Sequence, residues 1–259
     1  MDSILFSKEN GVATITLNRP DKFNSFNREM ALAFQQKLDQ CAGDDNIRAV
    51  VVTGSGRAFC AGQDLGEVTD PAINPGFKVI LKEHYNPIIT KLRELPKPVV
   101  AAVNGVAAGA GANIALACDI VVAHEKVSFI QAFSGIGLVP DSGGTYILPR
   151  LVGFQKALAI ALLGDKIAAT EAERMGMIYK VFSLEEFPEA VSQLANRLAQ
   201  MPTKGLGLTK ELFNAGIHND LKSQLEMEGR YQIEASETAD YAEGVRAFLE
   251  KRKPVFKGK

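Results

Sequence analysis

The sequence predicts an α/β fold with substantial parallel strand pairing. Two observations carry this expectation: short β-branched runs recur through the first half of the chain, and helical patterns separate the first three of them. A third bounds it, because 259 residues suit one large domain or a domain with a small appendage.

The runs are VATITL (12–17), AVVVTG (49–54), VVAAV (99–103) and DIVVA (119–123). Between the first two, residues 28–42 place Met30, Phe34 and Leu38 at spacing four, behind Asn27 as N-cap. Residues 77–95 read as a second helix, ended by Pro96 and Pro98. After about residue 150 the character changes. Residues 154–163 read as a compact apolar helix, and Thr170 with Glu173 and Ser183 with Glu186 fit the capping-box pattern. Residues 203–215, 221–235 and 239–251 also read as helices. The expected division is an α/β core over residues 1–195 and a helical region over residues 196–259.

Composition narrows the function classes. Lys and Arg total 29 against 30 Asp and Glu, so no net field favours nucleic acid or an anionic membrane. Hydrophobic residues at 46% and charged residues at 23% are ordinary for a soluble enzyme. Cys41, Cys60 and Cys118 are odd in number and widely spaced, which reads as reduced thiols in a cytoplasmic protein. His84, His124 and His218 form no ligand motif, and no metal is expected. The start MDSILFSKENG lacks the basic and apolar regions of a signal peptide. Residues 99–118 carry no charge over a membrane-length run, yet they are mostly Ala and Gly with Asn104 and Asn113 inside. A buried strand followed by a buried helix is the better reading.

Three stretches carry chemistry. In RAFCAGQDL (57–65), Ala61 and Gly62 let backbone amides approach a ligand closely, although an ordinary strand-to-loop turn fits too. In NGVAAGAGANIALACD (104–119), Gly109 and Gly111 precede a helix whose free N–H groups point at whatever sits there. GAGANI begins like a dinucleotide fingerprint, but Ile114 stands at its third glycine position. An oxyanion site fits better, where one donor is worth roughly a hundred- to a thousandfold in rate. In SGIGLVPDSGGT (134–145), Asp141 is the one charge between Val127 and Pro149. A helix cap and a catalytic acid/base both account for it; a helix N-terminus favours the anion, and burial disfavours it.

Taken together, with NRPDKFNSFN (18–27) and EGVRAFLEKRKPVF (243–256), these stretches resemble the crotonase superfamily, that is, the enoyl-CoA hydratase/isomerase family. The resemblance runs over nearly the whole chain. It implies an α/β crotonase-like spiral of ββα units with a helical C-terminal trimerisation region. It implies an acyl-CoA thioester substrate whose carbonyl oxygen is held by the backbone N–H groups of Gln63 and Ala110. Lys22, Phe23, Ala61, Gly62, Asp64, Leu65 and Gly109 would then lie along the coenzyme A path. The only coenzyme expected is the one carried by the substrate. The expected assembly is a homotrimer or a dimer of trimers, with room for a hydratase partner.

Departures from the family pattern sharpen the reading. Family hydratases carry two glutamates where this chain has Asn113 and Phe133. Water addition calls for two placed carboxylates, so a standard hydratase is not expected. Asp141 stands where some isomerases and dehalogenases of the family carry an aspartate. The implied activity is proton transfer on a CoA thioester, which rearranges a phenylacetyl ring epoxide to an oxepin, shifts an enoyl double bond, or does both. The alternatives are a Δ3,Δ2-enoyl-CoA isomerase or enoyl-CoA hydratase of fatty-acid oxidation, a dehalogenase-like nucleophile at Asp141, and a non-catalytic CoA-binding scaffold.

Overall fold

The computed structural model describes residues 2–259. An Asn10–Gly11 turn, both residues at positive φ, joins β1 (Ile4–Glu9) to β2 (Val12–Leu17) as an antiparallel hairpin. Helix α1 (Arg28–Gly43) follows, its N-terminus closed by Asn27 accepting from the Met30 N–H. Next come β3 (Ala49–Gly54), β4 (Ala58–Cys60) and α2 (Leu65–Thr69). One helical run then comprises α3 (Phe77–Val79), a π-helical turn over Ile80–Tyr85, and α4 (Asn86–Glu94). Strands β5 (Val99–Val103) and β6 (Val106–Ala108) lead into α5 (Ala110–Ala117). Strands β7 (Ile120–His124) and β8 (Ser128–Ile130) lead into α6 (Gly144–Val152) and α7 (Phe154–Leu163). The chain continues through β9 (Lys166–Ala168), α8 (Ala169–Arg174) and β10 (Lys180–Phe182). It finishes with α9 (Phe187–Ala199), α10 (Thr203–Gly216), α11 (Leu221–Ser236) and α12 (Ala239–Leu249).

The strands sort into two sheets. The larger has six in the order β1-β2-β3-β5-β7-β10, and the smaller has four in the order β4-β6-β8-β9. Beyond the β1–β2 hairpin the larger sheet is parallel throughout. Each repeat places one strand in the large sheet, the next in the small sheet, and a helix after it, which is the expected spiral of ββα units. Alternate side chains separate two cores. Val50, Val52, Ala101 and Val103 face the small sheet and the helices, whereas Ala49, Val51, Val100 and Ala102 face Phe187, Ala195, Leu198 and Ala199 of α9. Both faces are covered, so these strands are apolar throughout.

Several expectations are corrected. The helix expected over residues 77–95 stops at Glu94 and contains the π-turn. The expected box at Thr170 is not a cap, because Thr170 lies inside α8 and Ala168 holds the cap position. At Ser183 the box is present: its hydroxyl donates to Glu186 at 2.7 Å and accepts from the Glu186 N–H. The strand expected to begin at Asp119 begins at Ile120, and α12 ends at Leu249. The uncharged run 99–118 is β5, β6 and α5, and no helix of the described residues is long and apolar enough to cross a membrane. Helix α9 runs across residue 195.

A buried ion pair fastens α10 to the sheet. Asp119 accepts from the Val99 N–H and from Lys210, each at 2.8 Å. Lys210 also donates to the Leu92 carbonyl at 2.7 Å. Burial pushes the Asp119 carboxyl up and the Lys210 ammonium down from their usual ranges. Asp119→Ala would leave the ammonium enclosed without its anion, which should lower unfolding stability in urea by about 3–5 kcal/mol. Adding Lys210→Met should recover most of that loss. A single-variant loss below about 1 kcal/mol would show that Lys210 reaches water instead.

Candidate active site

The first element of the site is a segment pressed against the end of β4. Asn24 is buried; its amide donates to the carbonyls of Ser55 (2.9 Å) and Ala58 (2.8 Å), and its oxygen accepts from the Arg19 N–H. This anchors Phe23, whose carbonyl accepts from the Ala61 N–H at 3.0 Å. Phe26 then pairs with Gln63 as an isolated parallel bridge. The Phe26 N–H donates to Gly62 at 2.7 Å, and the Asp64 N–H donates to Phe26 at 2.8 Å. A parallel bridge of this kind leaves the intervening N–H of Gln63 facing away from Phe26. Among the described residues it has no protein acceptor.

The second element is the turn from β6 into α5. Gly109 adopts φ +52°, and Ala110 opens the helix with an N–H that has no carbonyl four residues back. Gly62, at φ +91°, meets this turn. A Cβ at residue 62 would stand 3.0 Å from the Ala108 carbonyl oxygen and 3.4 Å from the Ala110 nitrogen. The two candidate donors therefore sit on segments in direct contact. The Phe133 ring lies against Gly109, 3.7 Å from where a Cβ there would be.

The third element is the turn that carries Asp141. Ser142 and Gly143 are both left-handed, and the Gly144 N–H closes the turn on the Asp141 carbonyl at 2.9 Å. The same carbonyl accepts from the Asn113 amide at 2.8 Å, and Gln131 donates to the Asn113 oxygen at 2.8 Å. Asn113 is fully buried on α5, three residues after Ala110, so one helix carries a candidate donor and anchors the turn of the candidate acid. The Asp141 carboxylate accepts from the Ser142 hydroxyl at 2.8 Å. It caps no helix, because the cap residue of α6 is Gly143 and receives no side-chain bond. The cap reading of Asp141 thus gives way. Burial raises its carboxyl above the usual range, with the Ser142 hydroxyl and its own N–H opposing.

The site thus brings together two backbone N–H groups without a protein acceptor among the described residues, on touching segments, and on the same helix as Ala110 the anchor of a carboxyl of raised pKa. Neither Asn113 nor Phe133 adds a second carboxylate. Of the remaining candidates, Lys22, Ala61 and Leu65 are exposed, and Phe23 is half-exposed with the Arg57 guanidinium 4.3 Å over its ring. The Asp64 side chain is structural, since it caps α2 through the Gly66 N–H at 2.9 Å and pairs with Arg19 at 2.7 Å. Sequence reasoning alone does not find Arg57, Tyr85, Glu67, Gln131 or Ser142. Arg57 opens the RAFCAGQDL stretch, but a loop charge signals nothing until its aromatic neighbour is known. The Cys60 thiol is pushed up to about 12 by burial, so it stays neutral and merely accepts weakly from the Gly62 N–H. A groove between α9 and the large sheet, lined by Thr14, Thr53, Asn104 and Phe187, contains none of the candidate residues. Among the described residues no cluster of three or more His, Cys, Asp or Glu is arranged to hold a metal.

Residues 7–259 match the enoyl-CoA hydratase/isomerase family model. The chain is 49% identical over 263 aligned positions to 1,2-epoxyphenylacetyl-CoA isomerase of Escherichia coli (strain K12), covering 100% of both chains. It is 35% identical to trans-2-decenoyl-acyl-carrier-protein isomerase of Streptococcus mutans, covering 99% of this chain and 98% of that one. The crystal structure of enoyl-CoA hydratase from Bacillus anthracis is similar at a TM-score of 0.91 and 33% identity, covering 99% of this chain and 100% of that one.

The raised Asp141 pKa has a stability consequence with a definite sign. As pH rises above 3.8, the unfolded chain releases this proton before the folded chain does. Stability therefore falls across the window between 3.8 and the raised value, and stays lower above it. Asp141→Asn should melt at a higher temperature than the parent at neutral pH. The gap should close as the pH falls below 3.8. A variant that melts lower at neutral pH would show that the ionised carboxylate is held by favourable partners.

Proposed function

The chain belongs to the enoyl-CoA hydratase/isomerase family, and from that membership we propose that it is an acyl-CoA isomerase with one acid/base, Asp141. The thioester oxygen accepts hydrogen bonds from the N–H groups of Gln63 and Ala110. Asp141 removes a proton from a carbon activated by that carbonyl, and the electron pair moves onto the oxygen as an enolate or dienolate. The protonated Asp141 then returns a proton to a different carbon. No water is consumed, and the thioester itself is the electron sink, so no added cofactor is invoked.

The observation that carries this reading is that α5 holds both the Ala110 N–H and, through Asn113, the turn of Asp141, whose carboxylate is bonded, among the described residues, by no other side chain than Ser142. The favoured substrate is 1,2-epoxyphenylacetyl-CoA, giving an oxepin-CoA; it is supported by the 49% identity to the E. coli enzyme. A double-bond shift in an enoyl thioester is the second reading, supported by the similarity to the S. mutans isomerase. Both draw on the same proton transfer; in the ring epoxide it accompanies cleavage of the bond between the two epoxide carbons, whose electron pair is redistributed into the double bonds of the seven-membered oxepin. Exposed Lys22, Phe23 and Leu65, with Arg57 beside Phe23, form the rim proposed for coenzyme A. We assign the chain to the cytoplasm, in keeping with three free, buried thiols. A homotrimer or a dimer of trimers is supported by large apolar residues left uncovered on the C-terminal helices: Phe213, Leu221 and Phe248 are 76%, 75% and 83% exposed. A hydratase acting on neighbouring thioesters is the proposed partner enzyme.

Chromatographic separation of the isomers, with mass spectrometry to detect any added water, across a panel of acyl-CoA thioesters that includes ring-epoxide and 3-enoyl types, tests the proposal. The parent should isomerise at least one of these two types. Asp141→Asn should lower that rate roughly a hundred- to ten-thousandfold, with thioester affinity nearly unchanged. A variant that keeps turnover within about threefold of the parent would remove Asp141 from the mechanism.

A further inference from the structure

We propose that the side chain of Gln63, clamped between Glu67 and Tyr85, is a positioning device that aims its own backbone N–H. The inference rests on reading that N–H as an oxyanion donor. The clamp uses both ends of the Gln63 amide. Its Nε2 donates to Glu67 at 2.7 Å, and its Oε1 accepts from the Tyr85 hydroxyl at 2.9 Å. A carboxylate accepts only, so the amide has one allowed orientation and cannot flip.

Each jaw is fixed in turn. Glu67 is buried, and its other oxygen accepts from the N–H of Arg28, the first residue of α1, at 2.8 Å. Tyr85 is 1% exposed, and burial, reinforced by surrounding negative groups, holds its phenol well above its usual range. It therefore remains a donor at any working pH. Its ring meets Phe26 edge to face, 6.1 Å between centres. Phe26 is the residue whose own N–H and carbonyl bracket Gln63 on the backbone. Residue 63 is thus gripped by Phe26 along its main chain and by Glu67 and Tyr85 at its side chain. Its N–H has no protein acceptor among the described residues.

The π-turn over Ile80–Tyr85 delivers the phenol. A π-turn adds a residue to the helical circuit and rotates the next turn of helix, a device that recurs at functional sites. Here it ends at Tyr85 and turns both His84 and Tyr85 into the interior. An oxyanion donor is effective only when its N–H is aimed at the developing charge, about 2.7–3.1 Å away. Glu67 and Tyr85 touch no reacting atom in this scheme. They act through Gln63.

The test measures polarisation of a bound carbonyl. Cinnamoyl-CoA labelled with carbon-13 at the thioester carbonyl has no proton to shift along its chain, so it binds without isomerising. In isotope-edited infrared difference spectra the parent should move its carbonyl band to lower frequency. Tyr85→Phe and, separately, Gln63→Met should each lose at least about half of that shift. Each should lower kcat about tenfold or more, with cinnamoyl-CoA affinity within about threefold. Gln63→Met removes both side-chain bonds without disturbing the buried phenyl packing, so it carries the test if Tyr85→Phe fails to fold. A purely structural Tyr85 would lower melting temperature and leave the band in place. Folded variants with the parental band overturn the clamp alone. A parent that leaves the band unshifted overturns the oxyanion reading, and the clamp with it.

Discussion

Everything at the candidate site depends on the close contact between Gly62 and the turn at residues 108–110. Two successive repeats of the spiral end their short strands side by side, β4 beside β6, with a register shift between Ala58 and Cys60. The loop after β4 lies against the turn before α5. The backbone at residue 62 lies so near the Ala108 carbonyl that a side chain there would press the two segments apart. With no side chain, the next N–H in each segment, at Gln63 and at Ala110, is left without a protein acceptor on neighbouring strands of chain. The bridge to Phe26 and the Asn24 contacts hold the first segment; the Gly109 N–H, bonded to Ile130 at 2.8 Å, holds the second.

The candidate acid is brought in from a third repeat by the same helix that carries a candidate donor. Asn113 sits one helical turn after Ala110 and ties the Asp141 carbonyl to α5. Helix α6 begins so close to it that a Cβ on Gly144 would overlap the Asn113 amide. A hydratase of the family has a glutamate at this position. Here the residue is neutral, and its hydrogen-bonding capacity goes to holding the turn. Asp141 is left as the one ionisable group of the turn, in a setting that favours its protonated form. Such a carboxyl gives and takes protons at the carbon of a polarised thioester more readily than an exposed one.

The legible parts of the fold were the long strands of the large sheet, because burial on both faces writes them as β-branched runs. Strands β4, β6, β8, β9 and β10 are three residues each, too short to carry a period, and their partners are distant in sequence. Asp141 was legible because a lone charge in a glycine-rich apolar stretch is unusual. Its anchors were not: Asn113 bonds its carbonyl from 28 positions away, and Gln131 holds Asn113 in turn. Gln63 could be read only as a backbone position. Its side-chain partner Tyr85 depends on a π-turn, which no hydrophobic spacing announces. Asp64 shows the opposite limit: the resemblance places it along the coenzyme A path, while its carboxylate is committed to Arg19 and the start of α2.

The most direct measurement follows a single turnover of 3-hexenoyl-CoA in deuterium oxide, with product mass read before the equilibrium is revisited. One carboxylate working without activated water predicts 2-hexenoyl-CoA carrying at most one deuterium, with no hydroxyacyl product. The appearance of 3-hydroxyhexanoyl-CoA as fast as the double bond moves would contradict it, because water would then be activated where the account provides one acid/base, Asp141.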